Sequence, residues 1–358
     1  MKLFHHSKHN GDEFVYNENI HQRKRKADCH KVHAGEQYVV YNDSIAERYR
    51  TINQIGEGSF ACIYVAEEIE SLPTRAGLLD CVVPKSFAVA KPNTPQKLVV
   101  KVPKQNSRSD EILKEWEVLE NCIGSDFIVT ARFLSNKSTH GLCLWMDYYE
   151  GGDLYDLVNE CDISLMGSTL IIAELVLALE FLHSRNIIHG DIKPENIGLD
   201  YFGHIRLLDF GVATQLREIH RNPITGRLEA ITESGTLPYA APEVLMRRHH
   251  GTETDWWSVG VMLYELIFYK LPFMSDTEDP QETCKIICTQ HFPTPPEATL
   301  YQDAYILISQ LLNKAPEHRL SYSHDTGVQS IMKQEFFKQL DWEAVRNKQY
   351  KAKSFFSL

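Results

Sequence analysis

The chain lacks an obvious membrane span. Its most apolar window, "LIIAELVLALEFL" at 170–182, is short and carries Glu174 and Glu180, so it reads as a buried core helix. The opening "MKLFHHSKHNGDEF" lacks the apolar run of a secretory signal, so the expected location is cytoplasmic or nuclear and not secreted. Eight cysteines are scattered without framework spacing, which fits reduced thiols better than disulfides. A basic excess is also missing. The net charge is −11, which removes any global electrostatic case for nucleic-acid binding. Internal repeats are absent, and Cys29, His30 and His33 lack a second ligand pair at zinc-finger spacing.

What is present divides the 358 residues unevenly. Residues 1–48 are polar, His-rich and weakly periodic, and read as a flexible arm. Within them "QRKRK", Gln22 to Lys26, is either a solvated basic patch or a nuclear-import signal. From Tyr49 to about Val102 the runs "YRTINQIG", "ACIYVAEEI", "FAVAK" and "KLVVKV" predict strands, interrupted by "SLPTRAGLLD" and "KPNTPQ". "SDEILKEWEVLENC" follows, with apolar residues at 112, 116 and 119 and Ser109 placed as N-cap, and predicts an amphipathic helix. Beyond "EGGDL" the pattern becomes helical, at 168–185, 255–269 and 302–313. The organisation is therefore a small strand-rich half, a hinge near 147–152 and a larger helical half.

Several polar constellations stand in this frame. "IGEGSFACI", from Ile55 to Ile63, puts Gly56 and Gly58 in a strand-flanked turn, where a backbone without Cβ atoms can approach a polyphosphate. Ala61 stands where a third glycine would complete GxGxxG, and a plain hairpin turn is the competing reading. "VVK" then offers Lys101, and Glu115 follows fourteen residues later on the predicted helix. "IIHGDIKPENIGL", 187–199, packs His189, Asp191, Lys193, Glu195 and Asn196 into one turn, and "LLDFG" supplies Asp209. A single buried lysine or aspartate is usually a member of a structural ion pair. An ordered set of five in matching contexts is not an accident of composition.

From Tyr49 to Phe337 the chain resembles the protein kinase family. The resemblance implies an α+β, bilobal fold, with a small β-rich N-lobe at 49–147, a larger helical C-lobe at 150–337 and a short tail at 338–358. It implies that Ile55, Gly56, Glu57, Gly58, Ser59, Phe60, Ala61, Cys62 and Ile63 cover the phosphates of ATP, which Lys101 also contacts. Glu115 is expected to fix Lys101, Asp191 to accept or orient the substrate hydroxyl proton, and Asn196 and Asp209 to hold Mg²⁺. Hard cations and oxygen ligands suit one another, so the set is chemically coherent. Lys91 in "FAVAK" sits in a similar context, but "PNTPQ" breaks its strand at once, so Lys101 is preferred.

Finer features point to a subgroup. Lys193 in "DIKPEN" and Thr236 in "GTLPYAAPE" resemble serine/threonine kinases, where that threonine contacts both the catalytic aspartate and the lysine. The resemblance also implies a Glu243–Arg319 ion pair and an Asp255 that braces the catalytic loop. "DWWSVG" and "EFFKQLDWEAV" resemble the AGC group, with a shortened tail ending in "KSFFSL". Asp153, Glu195 and Glu265 match acidic positions that read basic residues near a phosphosite, so protein substrates are expected, with no nucleic acid and no membrane as partners and a monomer as the default. Gly190 replaces an arginine that binds a phosphorylated activation loop, so loop phosphorylation at Thr225, Thr232 or Ser234 is expected to be dispensable. Val99 and Met146 are expected to line the adenine pocket. The alternative reading is a pseudokinase-like binding or scaffold module on the same fold, favoured by Gly190, Ala61 and Val99.

Overall fold

The computed structural model describes residues 31–34, 37–40, 43–58, 60–69, 97–104, 109–138, 141–232, 235–277, 279–322 and 327–357. Ser59, Ser234, Lys91 with its "FAVAK" run, and most of the N-terminal arm lie outside the described residues, but the arm's end forms the short helix Asp43–Ala46, with Ala46 buried in the core of the smaller unit. Two compact units form. One comprises the described residues of Met1–Ile112 with Ala131–Tyr148, and the other Leu113–Thr130 with Tyr149–Leu358. The stretch 113–130 therefore groups with the helical unit, although the sequence assigns it to the small lobe. The reason is backbone pairing: Val129 N–H donates to the Leu207 carbonyl at 3.0 Å, and Leu207 N–H to the Phe127 carbonyl at 2.8 Å.

The smaller unit is built on a five-stranded antiparallel sheet. Its order is Tyr49–Glu57, Ala61–Glu68, Lys97–Pro103, Gly141–Asp147, Ala131–Ser138. Strand alternation sorts the side chains. Leu98, Val100 and Val102 are buried and join Ala66, Phe133, Cys143 and Trp145 in one cluster. Trp145 stacks on Phe133 at 5.3 Å between ring centroids, and its indole N–H donates to Ser135 Oγ at 2.9 Å. Its only polar atom is thus satisfied, and burying such a ring is worth about 4–6 kcal/mol before entropy is counted. The intervening residues, Val99 and Lys101, point to the opposite face.

The larger unit centres on the helix Leu165–His183, capped by Ser164 Oγ accepting from Gly167 N at 3.1 Å. At nineteen residues it is longer than its most apolar window, and by length and composition alone it could cross a membrane. Most of it is instead buried within this unit. Glu174, 1% exposed in the middle of it, binds His204 Nδ1 at 2.5 Å and the Ile205 N–H at 2.9 Å. Those contacts satisfy a charge that an apolar helix could not otherwise bury. The helices Glu253–Phe268 and Gln302–Leu311 complete this core. The tail segment ends as a strand, Phe356–Ser357, paired with Asp162–Ile163 of the same unit.

Candidate functional site

The site residues of the smaller unit follow from sheet register. Lys101 lies opposite Ile63 on one side and Leu144 on the other. Two residues earlier, Val99 lies opposite Val65 and Met146. Directly opposed residues share a face, so a row of apolar side chains runs beside Lys101, away from the Trp145 core. The glycine hairpin joins the first two strands. Its turn is closed by Gly58 N–H donating to the Ala61 carbonyl at 2.8 Å, and Phe60 at its tip is largely exposed. Ala61 is buried and opposes Pro103. Lys104 pairs with Glu57, fastening the hairpin to the end of the lysine strand.

In the larger unit four polar residues converge. Lys193 Nζ donates to Thr236 Oγ1 at 2.7 Å, and the Thr236 hydroxyl donates to Asp191 Oδ1 at 2.7 Å. Lys193 Nζ also lies 2.7 Å from Asp191 Oδ2, which accepts from Asn196 Nδ2 at 3.0 Å. Asn196 spends its amide N–H groups on Asp191, including the backbone carbonyl at 2.7 Å. Its amide oxygen is the atom left to face a cation. Asp209 is exposed and left-handed, with φ +54°, while the next residue, Phe210, is 1% exposed. Asn196 and Asp209 are both oxygen donors, the chemistry Mg²⁺ takes, and two protein ligands suit an ion that completes its shell with water and phosphate oxygens. Glu115 is buried, in the part of the helix Ser109–Glu120 that groups with this unit. The structure thus brings Asp191, Lys193, Asn196 and Thr236 into contact, and places Lys101 with the glycine hairpin in the sheet.

A buried carboxylate fixes this loop. Asp255, 1% exposed, accepts from His189 N at 3.0 Å and Gly190 N at 2.9 Å, and pairs with His183 Nε2 at 2.8 Å. Burial pushes its pKa up. The His183 hydrogen bond, the electrostatic influence of the His183 and His189 rings and the Gly190 N–H together outweigh that and hold it below the usual carboxylate value. The His189 ring accepts from Asp191 N at 3.3 Å through Nδ1, so Nε2 carries the proton and donates to the Leu208 carbonyl at 2.9 Å. Phe210 meets that ring edge-on at 4.8 Å.

Gly190 has a second reason to be glycine. Its φ is +79°, and Gly235, at φ +111°, packs against its carbonyl so closely that a Cβ there would stand 3.0 Å from that oxygen. The sequence exposes the missing arginine but not this backbone demand. Sequence reasoning also gave no role to His183 or His189. A histidine at the end of a helix and another before "GD" carry no local sign of a shared partner 72 and 66 residues away.

One further predicted contact is present, and one that the sequence did not suggest. Arg319 grips Glu243 with both terminal nitrogens, at 2.6 and 3.0 Å. The Tyr239 hydroxyl donates to Glu265 Oε2 at 2.6 Å. Glu265 is raised from the ordinary carboxylate value by burial, with the Tyr239 bond opposing and the Glu195 charge adding. Asp153 is raised by burial and by the charges of Asp156 and Glu195, against the Asp156 N–H. Asp153 and Glu265 therefore each lie within electrostatic reach of Glu195.

The protein kinase domain family matches residues 84–337. The chain is 32% identical over 296 residues to human ribosomal protein S6 kinase alpha-3, covering 82% of this chain and 36% of that protein. It is 32% identical over 305 residues to human ribosomal protein S6 kinase alpha-2, covering 85% and 38%. It is 33% identical over 260 residues to the human serine/threonine-protein kinase MRCK alpha, covering 66% and 14%. The chain thus spans little more than a third of the S6 kinases' length and a smaller share of MRCK alpha.

Two outcomes test the loop. Replacing Gly190 with Ala forces a Cβ into the left-handed region and is expected to cost about 1–2 kcal/mol, read as a lower unfolding free energy in urea. Because Asp255 has a lowered folded pKa, its stabilisation is complete above the ordinary carboxylate pKa and is lost as pH falls through the folded value. Asp255→Ala is expected to cost about 3–5 kcal/mol at neutral pH and to flatten the acid limb of the stability curve.

Proposed function

We propose that this chain, which belongs to the protein kinase domain family and within it to the AGC type, transfers the γ-phosphoryl group of ATP to serine and threonine hydroxyls of protein substrates. The observation that carries this reading is the Asp191–Thr236–Lys193 triangle with Asn196 behind it. A carboxylate held by a hydroxyl and an ammonium is oriented to take a hydrogen bond from an incoming alcohol. The ammonium beside it stabilises negative charge on the phosphoryl group as it moves. Thr236 links the catalytic loop to the substrate-binding segment, so peptide and base are positioned together. In the same reading Lys101 and the glycine hairpin hold the phosphates, Glu115 orients Lys101, and Asn196 and Asp209 hold Mg²⁺. When bound, the ion neutralises charge on the phosphate oxygens.

The substrates we infer carry arginine or lysine near the phosphosite. Asp153 and Glu265 each feel the charge of Glu195, and a nearby cation relieves that repulsion. A reducing compartment, cytosol or nucleus, suits the six cysteines of the described residues, all of which are free.

A radiolabelled-ATP transfer assay on an arginine-rich serine peptide tests the reaction. Asp191→Asn is expected to lower kcat by about 10²–10⁴-fold with little change in nucleotide affinity. Nucleotide binding without transfer by the wild type to any peptide would support the scaffold reading instead. Glu195→Gln with Glu265→Gln is expected to raise KM about tenfold for the arginine peptide and to leave it unchanged for a neutral one. With raised pKa values at Asp153 and Glu265, KM for the basic peptide should also climb as pH falls into the upper carboxylate range.

A further inference from the structure

The segment from Asp209 to Glu243 contains a hairpin of its own. Arg221 and Leu228 form an antiparallel bridge, and Asn222 N–H donates to the Arg227 carbonyl at 2.8 Å. Asn222 Nδ2 donates to Glu229 Oε2 at 2.7 Å. This hairpin is fastened to residues 248–253 at three points. Ala230 and His250 exchange both backbone hydrogen bonds, at 2.9 and 3.0 Å. His250 is buried and donates from Nδ1 to the Arg248 carbonyl at 2.8 Å, so its Nε2 accepts from the Thr232 hydroxyl at 2.9 Å. Arg227 Nη2 donates to Glu253 Oε2 at 2.7 Å, and its guanidinium lies 3.7 Å from the centre of the Tyr322 ring.

The third contact is the strong one. Glu253 is 3% exposed and stands at the start of the helix Glu253–Phe268, two residues before Asp255. Its other oxygen accepts from Gly251 N at 2.8 Å. A charge-assisted bond to a desolvated carboxylate is worth more than an exposed ion pair, and losing Arg227 leaves that carboxylate buried without its cation. The approach also depends on Gly251. A Cβ there would stand 2.9 Å from Glu253 Oε2, 3.2 Å from the Leu228 carbonyl and 3.5 Å from Arg227 Nη2.

We propose that the Arg227–Glu253 pair, seated on Tyr322 and admitted by Gly251, orders this segment in place of a phosphate, so that the unphosphorylated chain already presents Thr236 to Asp191 and Lys193. This rests on the kinase reading above and specifies the regulation of that site. The charge arrangement has a definite polarity: the segment contributes the cation and the core helix the anion. Gly190 offers no side chain to bind a phosphate. The Thr225 hydroxyl faces Glu229 Oε1 at 3.3 Å, so negative charge at 225 meets a carboxylate there. Arg227 acts through the segment and is a positioning residue.

Hydrogen exchange on the phosphatase-treated full chain, beside peptide kinetics, tests this. In Arg227→Ala, exchange within 218–232 is expected to rise about tenfold or more while the helix Leu165–His183 stays protected. KM for the peptide should rise about tenfold with KM for ATP unchanged. The swap Arg227→Glu with Glu253→Arg should restore part of both, and Thr225→Glu should raise exchange. If Arg227→Ala also exposes the helix Leu165–His183, Gly251→Ala, which crowds the pair without removing a charge, is read in its place. Wild-type exchange in the variant, or a wild-type segment protected only once Thr225 or Thr232 carries phosphate, overturns the proposal. A wild type that labels no peptide but shows the expected exchange pattern sinks the kinase reading alone and leaves the ordering role of Arg227 standing.

Discussion

One buried carboxylate carries the architecture of the larger unit. Asp255 is almost wholly withdrawn from water, and a bare charge there would cost several kcal/mol. It is tolerated because His183 and the backbone N–H groups of His189 and Gly190 converge on it. It also lies in the first turn of the helix Glu253–Phe268, where the helix dipole favours negative charge. The donors come from two separate places: the end of the core helix Leu165–His183, and two successive residues of the loop that carries Asp191. The charge therefore cannot be satisfied unless that loop takes one backbone path. That path includes φ +79° at Gly190, which only glycine adopts without strain.

The same helix start organises a second element. Glu253 accepts from Arg227 of the long segment between Asp209 and Glu243, and Glu243 at the end of that segment is gripped by Arg319. Two acidic residues in the first turn of one helix, Glu253 and Asp255, thus fix two loops that share Thr236 and Asp191 as their meeting point. Conformational order at the candidate base is bought by desolvated ion pairs distant from it in sequence. Such pairs are weak contributors to net stability but strong discriminators among loop conformations, because breaking either leaves a charge in a low-dielectric setting.

In the smaller unit the constraint is different. There the sheet separates two chemistries by parity alone. Leu98, Val100 and Val102 face Trp145, while Val99 and Lys101 face the other way with Ile63, Val65, Leu144 and Met146. A one-residue slip would exchange the two faces, burying an ammonium in the Trp145 core, so register and site placement are fixed by the same hydrophobic term.

Much of this was legible in the sequence, for local reasons. Alternation marked strands at 49–56, 61–69 and 97–102, and helical spacing marked 109–122, 168–185, 255–269 and 302–313, each within a few residues of the element found, because those periods follow from backbone geometry. Motif order marked Lys101, Glu115, Asp191, Lys193, Asn196 and Asp209 as candidates. What the sequence could not supply was partnership across distance. The placement of 113–130 with the larger unit depends on backbone bonds to Leu207, which leave no trace in side-chain pattern. The convergence of His183 and His189 on Asp255, and of Arg227 on Glu253, joins residues 26 to 72 positions apart. Local propensity determined which elements exist and which residues carry chemistry. Tertiary packing decided which charges would be buried together, because the cost of desolvating a carboxylate is felt only once the chain has closed around it.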